Sequence, residues 1–105
     1  MSEKTQTQKN ELATEKSDFE WLMSDPRGRR IMFDLLAFCR VFKPSYTGNS
    51  ETFFNEGMRN VGLKYFLAVN QFCPEQYLAM TQEHNERMRL IEQRKDLQKK
   101  GSTNG

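Results

Sequence analysis

Apolar positions are unevenly distributed along the 105-residue chain. Residues 1–16 contain almost none, residues 17–81 contain Trp21, all eight Phe and all three Tyr, and residues 82–105 are mostly polar with a sparse series of Met, Leu and Ile. We therefore predict a flexible N-terminal segment, a helical core domain, and a charged C-terminal helix with a frayed tail. A core of roughly 65 residues buries only about 60% of its unfolded surface. Contact with a partner, self-association or docking of the C-terminal helix would stabilise it.

The first part of the core is predicted to contain two helices. Ser17 and Glu20 have the spacing of a capping box and start a short helix that ends near residues 24–26. Asp25 and Pro26 then supply a helix cap and a proline suited to the first turn, so a second helix is expected to run to about residue 42. Its apolar side chains, spaced three and four residues apart, are Ile31, Met32, Leu35, Leu36, Cys39 and Phe42.

A third helix is expected from about Asn49 to Phe72, after a break at residues 43–49 that contains a proline and a Gly-Asn turn. Two helix-packing glycines, Gly57 and Gly62, lie inside it, where glycine costs about 0.5–1 kcal/mol relative to alanine. We interpret this cost as offset by close approach of another backbone, with the second helix or a neighbouring subunit facing Gly57. The predicted buried stripe of this helix is Phe54, Met58, Val61, Tyr65, Ala68, Val69 and Phe72.

A fourth helix is expected to follow a break at residues 73–75, because Pro74 suits a first helical turn. It begins buried and continues as a charged rod, which we interpret as either solvent-exposed or half of a coiled-coil contact. Oppositely charged residues three or four positions apart are Glu83/Arg87, Glu86/Arg89, Glu92/Lys95 and Asp96/Lys100. The fold class is therefore predicted to be all-α, a small bundle of three to four helices with an extended charged C-terminal helix.

The net charge of +2 comes entirely from the C-terminal part of the chain. Acidic and basic residues are equal in number over residues 1–16 and again over residues 17–81. A dedicated nucleic-acid-binding domain usually carries a clear basic excess. The balance of charge therefore argues against that class, although local clusters of arginine can still matter.

The sequence gives little basis for cofactor or metal chemistry. Cys39 and Cys73 each follow a phenylalanine in an apolar run, so we interpret them as reduced core thiols, with a disulfide or a reactive site as alternatives. A single histidine, His84, leaves too few ligands for a Cys/His zinc site and has no nucleophile or acid at a useful spacing. We expect no cofactor, no metal and no catalytic activity. No secretory signal is recognisable, and no apolar run approaches the ~20 residues of a membrane span.

Three arginines near the start of the second helix are candidate binding residues: Arg27, Arg29 and Arg30. Arginine side chains match phosphate geometry, yet cations at a helix N-terminus oppose the helix dipole. This unfavourable placement is consistent with a specific anionic partner. The alternative is a solvated helix start in which these arginines pair with Asp25 and Asp34.

Polar residues cluster in the first turns of the third helix, next to Phe53. Glu56, Arg59 and Asn60, with Asn55 beside them, flank the predicted buried stripe. They either form a hydrogen-bonded cluster that fixes the turn at residues 43–49, because free carbonyls of a turn need partners, or they form a binding face. On the second interpretation Phe53, Glu56, Arg59 and Asn60 are candidate partner-binding residues.

Several segments resemble a family of small tailed-bacteriophage proteins grouped around a Bordetella phage member. The most specific are Thr47-Gly48-Asn49-Ser50 and the segment from Phe54 to Gly62, which reads Phe-Asn-Glu-Gly-Met-Arg-Asn-Val-Gly. The similarity extends over about residues 17–80. It implies origin in a short-tailed phage, commonly among structural and morphogenesis genes, and implies no agreed biochemical activity.

Two classes of function follow from these observations. The first is a virion or assembly protein that docks on a larger phage protein, such as a portal, an internal core or an ejection protein, with a homo-oligomer as a further possibility. It would be found in the host bacterial cytoplasm during infection or in the virion. The second is a nucleic-acid-associated regulatory protein, or an inhibitor of a host protein. We favour the first class, because the core carries no net charge and the turn before the third helix is longer than in a helix-turn-helix motif.

Overall fold

A computed structural model describes residues 4–43, 48 and 51–103, and these residues form four helices. The helices are α1 (Gln6–Met23), α2 (Pro26–Phe38), α3 (Glu51–Phe72) and α4 (Pro74–Thr103), and no strand occurs in the described part of the chain. The predicted all-α fold class is confirmed. The breaks near residues 24–26 and 73–75 are confirmed as well, whereas most of the break predicted at residues 43–49 lies outside the described residues.

Helix α1 begins at Gln6, so the prediction of a helix start at Ser17 is wrong. Thr5 and Gln8 form the capping box: the Thr5 hydroxyl accepts from the Gln8 backbone N–H, and the Gln8 side chain accepts from the Thr5 N–H. Ser17 lies in the interior of this helix, whose first ten residues are almost entirely exposed. The capping pair Thr5 and Gln8 can be recognised in the sequence, but the residues that follow it have no apolar face that would predict a helix. The division of the chain at residues 16 and 81 stays a prediction.

Helix α2 begins as predicted, with Asp25 accepting a hydrogen bond from the backbone N–H of Arg27 and Pro26 in the first turn. It ends at Phe38 rather than near Phe42, because Arg40 adopts a left-handed conformation with φ of 62°. The N–H of Val41 then bonds the carbonyl of Leu36 at 3.1 Å, while the N–H of Arg40 bonds the carbonyl of Ala37 at 3.0 Å. These two bonds form a Schellman motif, which satisfies carbonyls at the end of the helix.

The inward side of α3 differs from the predicted stripe. Asn55, Gly62 and Val69, spaced by seven residues, are all buried, whereas Phe54 and Val61 are exposed. Counting apolar residues could not find this register, because two of its three central positions are an asparagine and a glycine. The apolar stripe predicted for the second helix contains the same kind of error: Ile31 is exposed, and so is Phe42, which lies beyond the end of α2.

The core lies where the four helices meet and is small for the length of the chain. Its fully buried side chains are Met23, Leu36, Val69, Cys73 and Met80. The molecule measures 71 × 39 × 15 Å, and its radius of gyration is 19.0 Å, against about 13 Å for a compact domain of this length. The shortest of these dimensions, 15 Å, corresponds to about two layers of helices whose axes are 8–10 Å apart. Large apolar side chains are nevertheless exposed on this small core, among them Trp21, Phe53 and Phe54.

Helix α4 runs well beyond the core. Its 30 residues span about 45 Å, and every residue from Met88 to Gly101 is exposed. Among the predicted ion pairs, Glu86 pairs with Arg89 at 2.6 Å and Glu92 with Lys95 at 3.9 Å. Glu83 instead pairs with a residue of α2. The coiled-coil contact of the outer part of α4 stays a prediction.

Candidate functional site

The three candidate arginines of α2 have different environments, and Arg29 is engaged inside the molecule. Its guanidinium donates to both carboxylate oxygens of Glu83 at 2.7–3.1 Å, to the carbonyl of Met23 at 2.8 Å and to the side chain of Gln76 at 3.1 Å. Only 11% of the Arg29 side chain is exposed. The hydrogen bond to Glu83 raises the pKa of Arg29. The cation that opposes the helix dipole therefore has an anionic partner within the chain, on α4.

Arg27 lies on the surface and pairs with the residue that caps its own helix. Its Nη2 donates to Asp25 at 2.7 Å. The side-chain and backbone hydrogen bonds from Arg27 lower the pKa of Asp25 to about 2. This is one of the pairings that the solvated interpretation predicts. Arg30 is exposed beside a groove that is also lined by Glu83, Glu86 and Arg87, so acidic and basic groups alternate there.

The polar residues of α3 divide between two sides of the helix. Asn55 is buried and Arg59 is half-buried, whereas Phe53, Glu56 and Asn60 are exposed. These five residues of α3 therefore do not form a single cluster. Asn55 and Arg59 face inward, as a structural role requires, and the turn that they are expected to fix lies largely outside the described residues. Phe53, Glu56 and Asn60 remain available to a partner.

The two glycines of α3 also lie in different environments. A Cβ at Gly62 would come within 2.5 Å of Val41 Cγ2 and 2.6 Å of Cys39 Cβ. Glycine is thus required there by the close approach of the turn after α2. A Cβ at Gly57 would meet no atom within 4 Å in the described part of the chain. The expectation that the second helix faces Gly57 is not met, and the site is open toward the described residues.

A surface that the sequence did not predict lies around Trp21 at the end of α1. Trp21 is 76% exposed, and it lines two adjoining grooves of about 250 and 340 Å³. The first groove is almost wholly apolar and runs between α1, α2 and α3. Its lining residues are Asp18, Phe19, Trp21, Leu22, Met32 and Tyr65. The second groove extends toward Arg27 and the exposed Ile31. We call Trp21, Arg27, Ile31 and the two grooves the Trp21 surface.

A sequence signal for this surface exists in the spacing of α1. Phe19, Leu22 and Met23 are three and four residues apart and form the inward side, with Met23 fully buried. Trp21 falls outside that spacing. Treating all four side chains as one apolar group therefore conceals the exposed tryptophan.

The two cysteines and the histidine are packed against other side chains of the protein. Cys39 and Cys73 are free and buried, and burial is the main cause that raises the pKa of the Cys73 thiol. The ring of His84 stacks on Phe33 with centroids 3.8 Å apart. Among the described residues, no group of three or more His, Cys, Asp or Glu could hold a metal ion. Nor does any helix in those residues have the length and hydropathy needed to cross a bilayer.

Comparison with known proteins gives a family. The family model for Bbp19-like phage proteins matches residues 19–82, which is more than half of the chain. The chain belongs to this family. The predicted resemblance to small tailed-phage proteins is thereby confirmed, over nearly the range expected. No curated protein and no solved structure matches the chain.

The family match covers the Trp21 surface, α2, α3 and the first turns of α4, up to residue 82. Glu83, the partner of Arg29, is the next residue along. The outer part of α4 and residues 6–18 of α1 lie outside the match. The family therefore corresponds to the helical core and the surfaces that it exposes.

Proposed function

We propose that this Bbp19-like phage protein is a small virion or morphogenesis protein that docks on a larger phage protein, such as a portal, internal core or ejection protein. The observation that carries the proposal is the Trp21 surface. Trp21 is 76% exposed between two grooves, so most of its side chain does not pack in the core of the chain. Family membership supports a phage role, and the exposed apolar surface supports a role in protein contacts.

The chemistry of this surface fits a protein partner. The few residues that contribute most of the binding energy at protein interfaces are often tryptophan or arginine. Trp21 and Arg27 both line the second groove. The floor of the first groove includes the buried Met32, while Asp18 stands at its rim. An apolar side chain of the partner would fill the groove, and polar groups around it would meet Asp18 and the Asp25–Arg27 pair. This arrangement has the apolar centre and polar rim of a typical interface.

The small core of the molecule supports the same conclusion. A core of this size leaves part of its apolar surface unpaired, and a partner would remove that surface from water at about 25 cal/mol per Å². Exposed apolar patches of this kind commonly mark interaction sites. Docking would thus stabilise the chain as well as position it.

The test is quantitative mass spectrometry of purified particles from phages that carry single substitutions in this gene. We expect Trp21→Ala to reduce strongly the number of copies in virions or assembly intermediates, because it removes the side chain between the grooves. Leu97→Ala is the matched control: Leu97 is 67% exposed on the outer part of α4, away from the Trp21 surface. Both purified variants should keep the helical circular dichroism of the wild type.

Absence of the wild-type protein from both virions and assembly intermediates would refute the proposal. Equal incorporation of Trp21→Ala and Leu97→Ala would refute the assignment of the Trp21 surface. A nucleic-acid role rests on the arginine cluster, of which Arg27 and Arg29 are already paired with Asp25 and Glu83. No feature of the described residues therefore favours that role as a second candidate.

A further inference from the structure

The outward side of α3 is a continuous exposed face that no other helix of the described chain covers. We call it the outer face of α3 and define it by six residues, all exposed: Phe53, Glu56, Gly57, Asn60, Lys64 and Leu67. Their spacing of three and four residues places them on one side of the helix. From Phe53 to Leu67 this face is about 21 Å long. The helix packs against the core through the opposite side, at Asn55, Gly62 and Val69.

Gly57 gives this face room for another helix. Glycine disfavours a helix interior, and no atom of the described residues lies within 4 Å of the Cβ position at Gly57. The side chains of Phe53 and Leu67, 80% and 62% exposed, stand on either side of it along the helix. A small residue between large apolar ones lets a second helix axis come close.

The residues of this face are arranged symmetrically about Asn60. Glu56 lies four positions before Asn60 and Lys64 four positions after it, while Phe53 and Leu67 lie seven positions before and after. In an antiparallel pair of identical helices with its twofold axis at Asn60, Glu56 is at the height of the partner's Lys64. Phe53 is likewise at the height of the partner's Leu67. A twofold interface requires this self-complementarity.

We propose that the chain forms a twofold-symmetric homodimer through the outer face of α3, with the two helices antiparallel and crossing at Asn60. Opposite charges then meet at two symmetry-related places, and apolar side chains meet at two others. This inference goes beyond the proposed docking function, because it uses different residues and needs no other phage protein.

The area of the face sets the strength expected of this dimer. A phenylalanine carries about 150–250 Å² of surface, so Phe53, which is 80% exposed, offers roughly 120–200 Å² per chain. A standard interface takes about 800 Å² from each partner. Leu67 and the aliphatic stem of Lys64 supply part of the remainder. The dimer is therefore expected at micromolar rather than nanomolar concentration.

Charge reversal provides the main experiment, measured by sedimentation of the full chain from low micromolar to submillimolar concentration. Glu56→Lys and Lys64→Glu should each weaken self-association by at least about tenfold, because each places like charges opposite one another at both symmetry-related sites. An equimolar mixture of the two variants should regain association, since every reversed residue then faces an opposite charge. Glu15→Lys, on the exposed part of α1, is the matched control and should associate as the wild type does.

A cross-link checks the position of the axis independently. Helices packed 8–10 Å apart bring the two Asn60 Cα atoms to about 4–6 Å, which is within the range of a disulfide. Asn60→Cys should therefore form a covalent dimer on mild oxidation, whereas Gln71→Cys, exposed further along α3, should do so far more slowly. The native thiols are buried and should not interfere.

Three results would overturn the proposal. The first is a wild-type chain that stays monomeric at submillimolar concentration. The second is a dimer that tolerates both charge reversals, because it must use another surface. The third is a mixture of the two reversed variants that fails to associate. None of these results bears on incorporation into particles, so a failed dimer leaves the docking proposal intact and the reverse holds too.

Discussion

Arg29 and Glu83 are 54 residues apart in sequence, and the guanidinium of the first donates to both carboxylate oxygens of the second. Arg29 also bonds the carbonyl of Met23, so one side chain joins the end of α1, the start of α2 and α4. Its side chain is mostly shielded from water. Charge-assisted hydrogen bonds in such a setting are stronger than those on the surface.

Replacing Arg29 should therefore destabilise the fold. We expect Arg29→Ala to lower the free energy of unfolding by about 2–3 kcal/mol, because it leaves Glu83 and the Met23 carbonyl without this donor. Arg29→Lys should fall between this variant and the wild type, since lysine keeps the charge and loses the two-pronged geometry. Urea denaturation followed by circular dichroism measures both. Arg27→Ala is the control and should cost much less, because its pair with Asp25 is exposed. Equal losses for Arg27→Ala and Arg29→Ala would contradict this assignment.

The two glycines of α3 form a matched pair for testing helix packing. Gly62→Ala should destabilise the chain by about 1–3 kcal/mol, because its new methyl would overlap Val41 and Cys39. Gly57→Ala should stabilise the monomer by about 0.5–1 kcal/mol, because alanine is the better helix former and the site is open. Thermal and urea unfolding at low protein concentration measure both changes. A loss of stability in monomeric Gly57→Ala would show that Gly57 is packed within the chain, contrary to the open site described above.

Asp25 predicts a specific dependence of stability on pH. Its hydrogen bonds from Arg27 lower the pKa of Asp25 from 3.8 to about 2. A lowered pKa in the folded state means that the ionised form favours folding. This contribution is fully present above about pH 4 and is lost as the pH falls toward 2.

Asn at position 25 can still cap α2, so Asp25→Asn removes the ionisable group and keeps the helix start. The melting temperatures of wild type and Asp25→Asn should therefore converge as the pH falls from 4 toward 2. Other carboxylates titrate in both proteins and cancel in the comparison. A difference that stays constant across this range would mean that the Asp25 carboxylate does not contribute in this way.

The parts of the fold that could be predicted from the sequence are those set by short-range chemistry. Asp25 with Pro26, and Pro74 after Cys73, mark helix starts that the structure confirms, because a cap and a first-turn proline act within three residues. The end of α2 could not be predicted in this way. It depends on Arg40 adopting a left-handed conformation, which is uncommon for any residue other than glycine.

The contacts between helices were the least predictable part. The inward register of α3 runs through Asn55 and Gly62, which an apolar count passes over. Spacing along α4 pairs Glu83 with Arg87, yet the start of α2 brings Arg29 to it. In both cases the outcome depends on how the helices meet, and residue spacing within one helix carries no information about that.

Binding to duplex DNA separates the docking role from a nucleic-acid role. We expect the purified wild-type protein to bind duplex DNA no more tightly than about 10⁻⁴ M at physiological salt, the weak end of non-specific binding. The acidic and basic residues of the core are balanced, and Arg27 and Arg29 are paired within the chain, so no broad positive field attracts phosphate. Fluorescence anisotropy with a labelled duplex, over a series of salt concentrations, provides the measurement.

Fluorescence anisotropy on an arginine variant extends this test. The informative variant replaces Arg27 and Arg30 and leaves Arg29 in place, because loss of Arg29 would disturb the fold. This variant should bind DNA as weakly as the wild type. Submicromolar binding by the wild type would contradict the docking role, above all if the logarithmic salt slope of the variant were shallower by about 0.9 for each phosphate that it no longer neutralises.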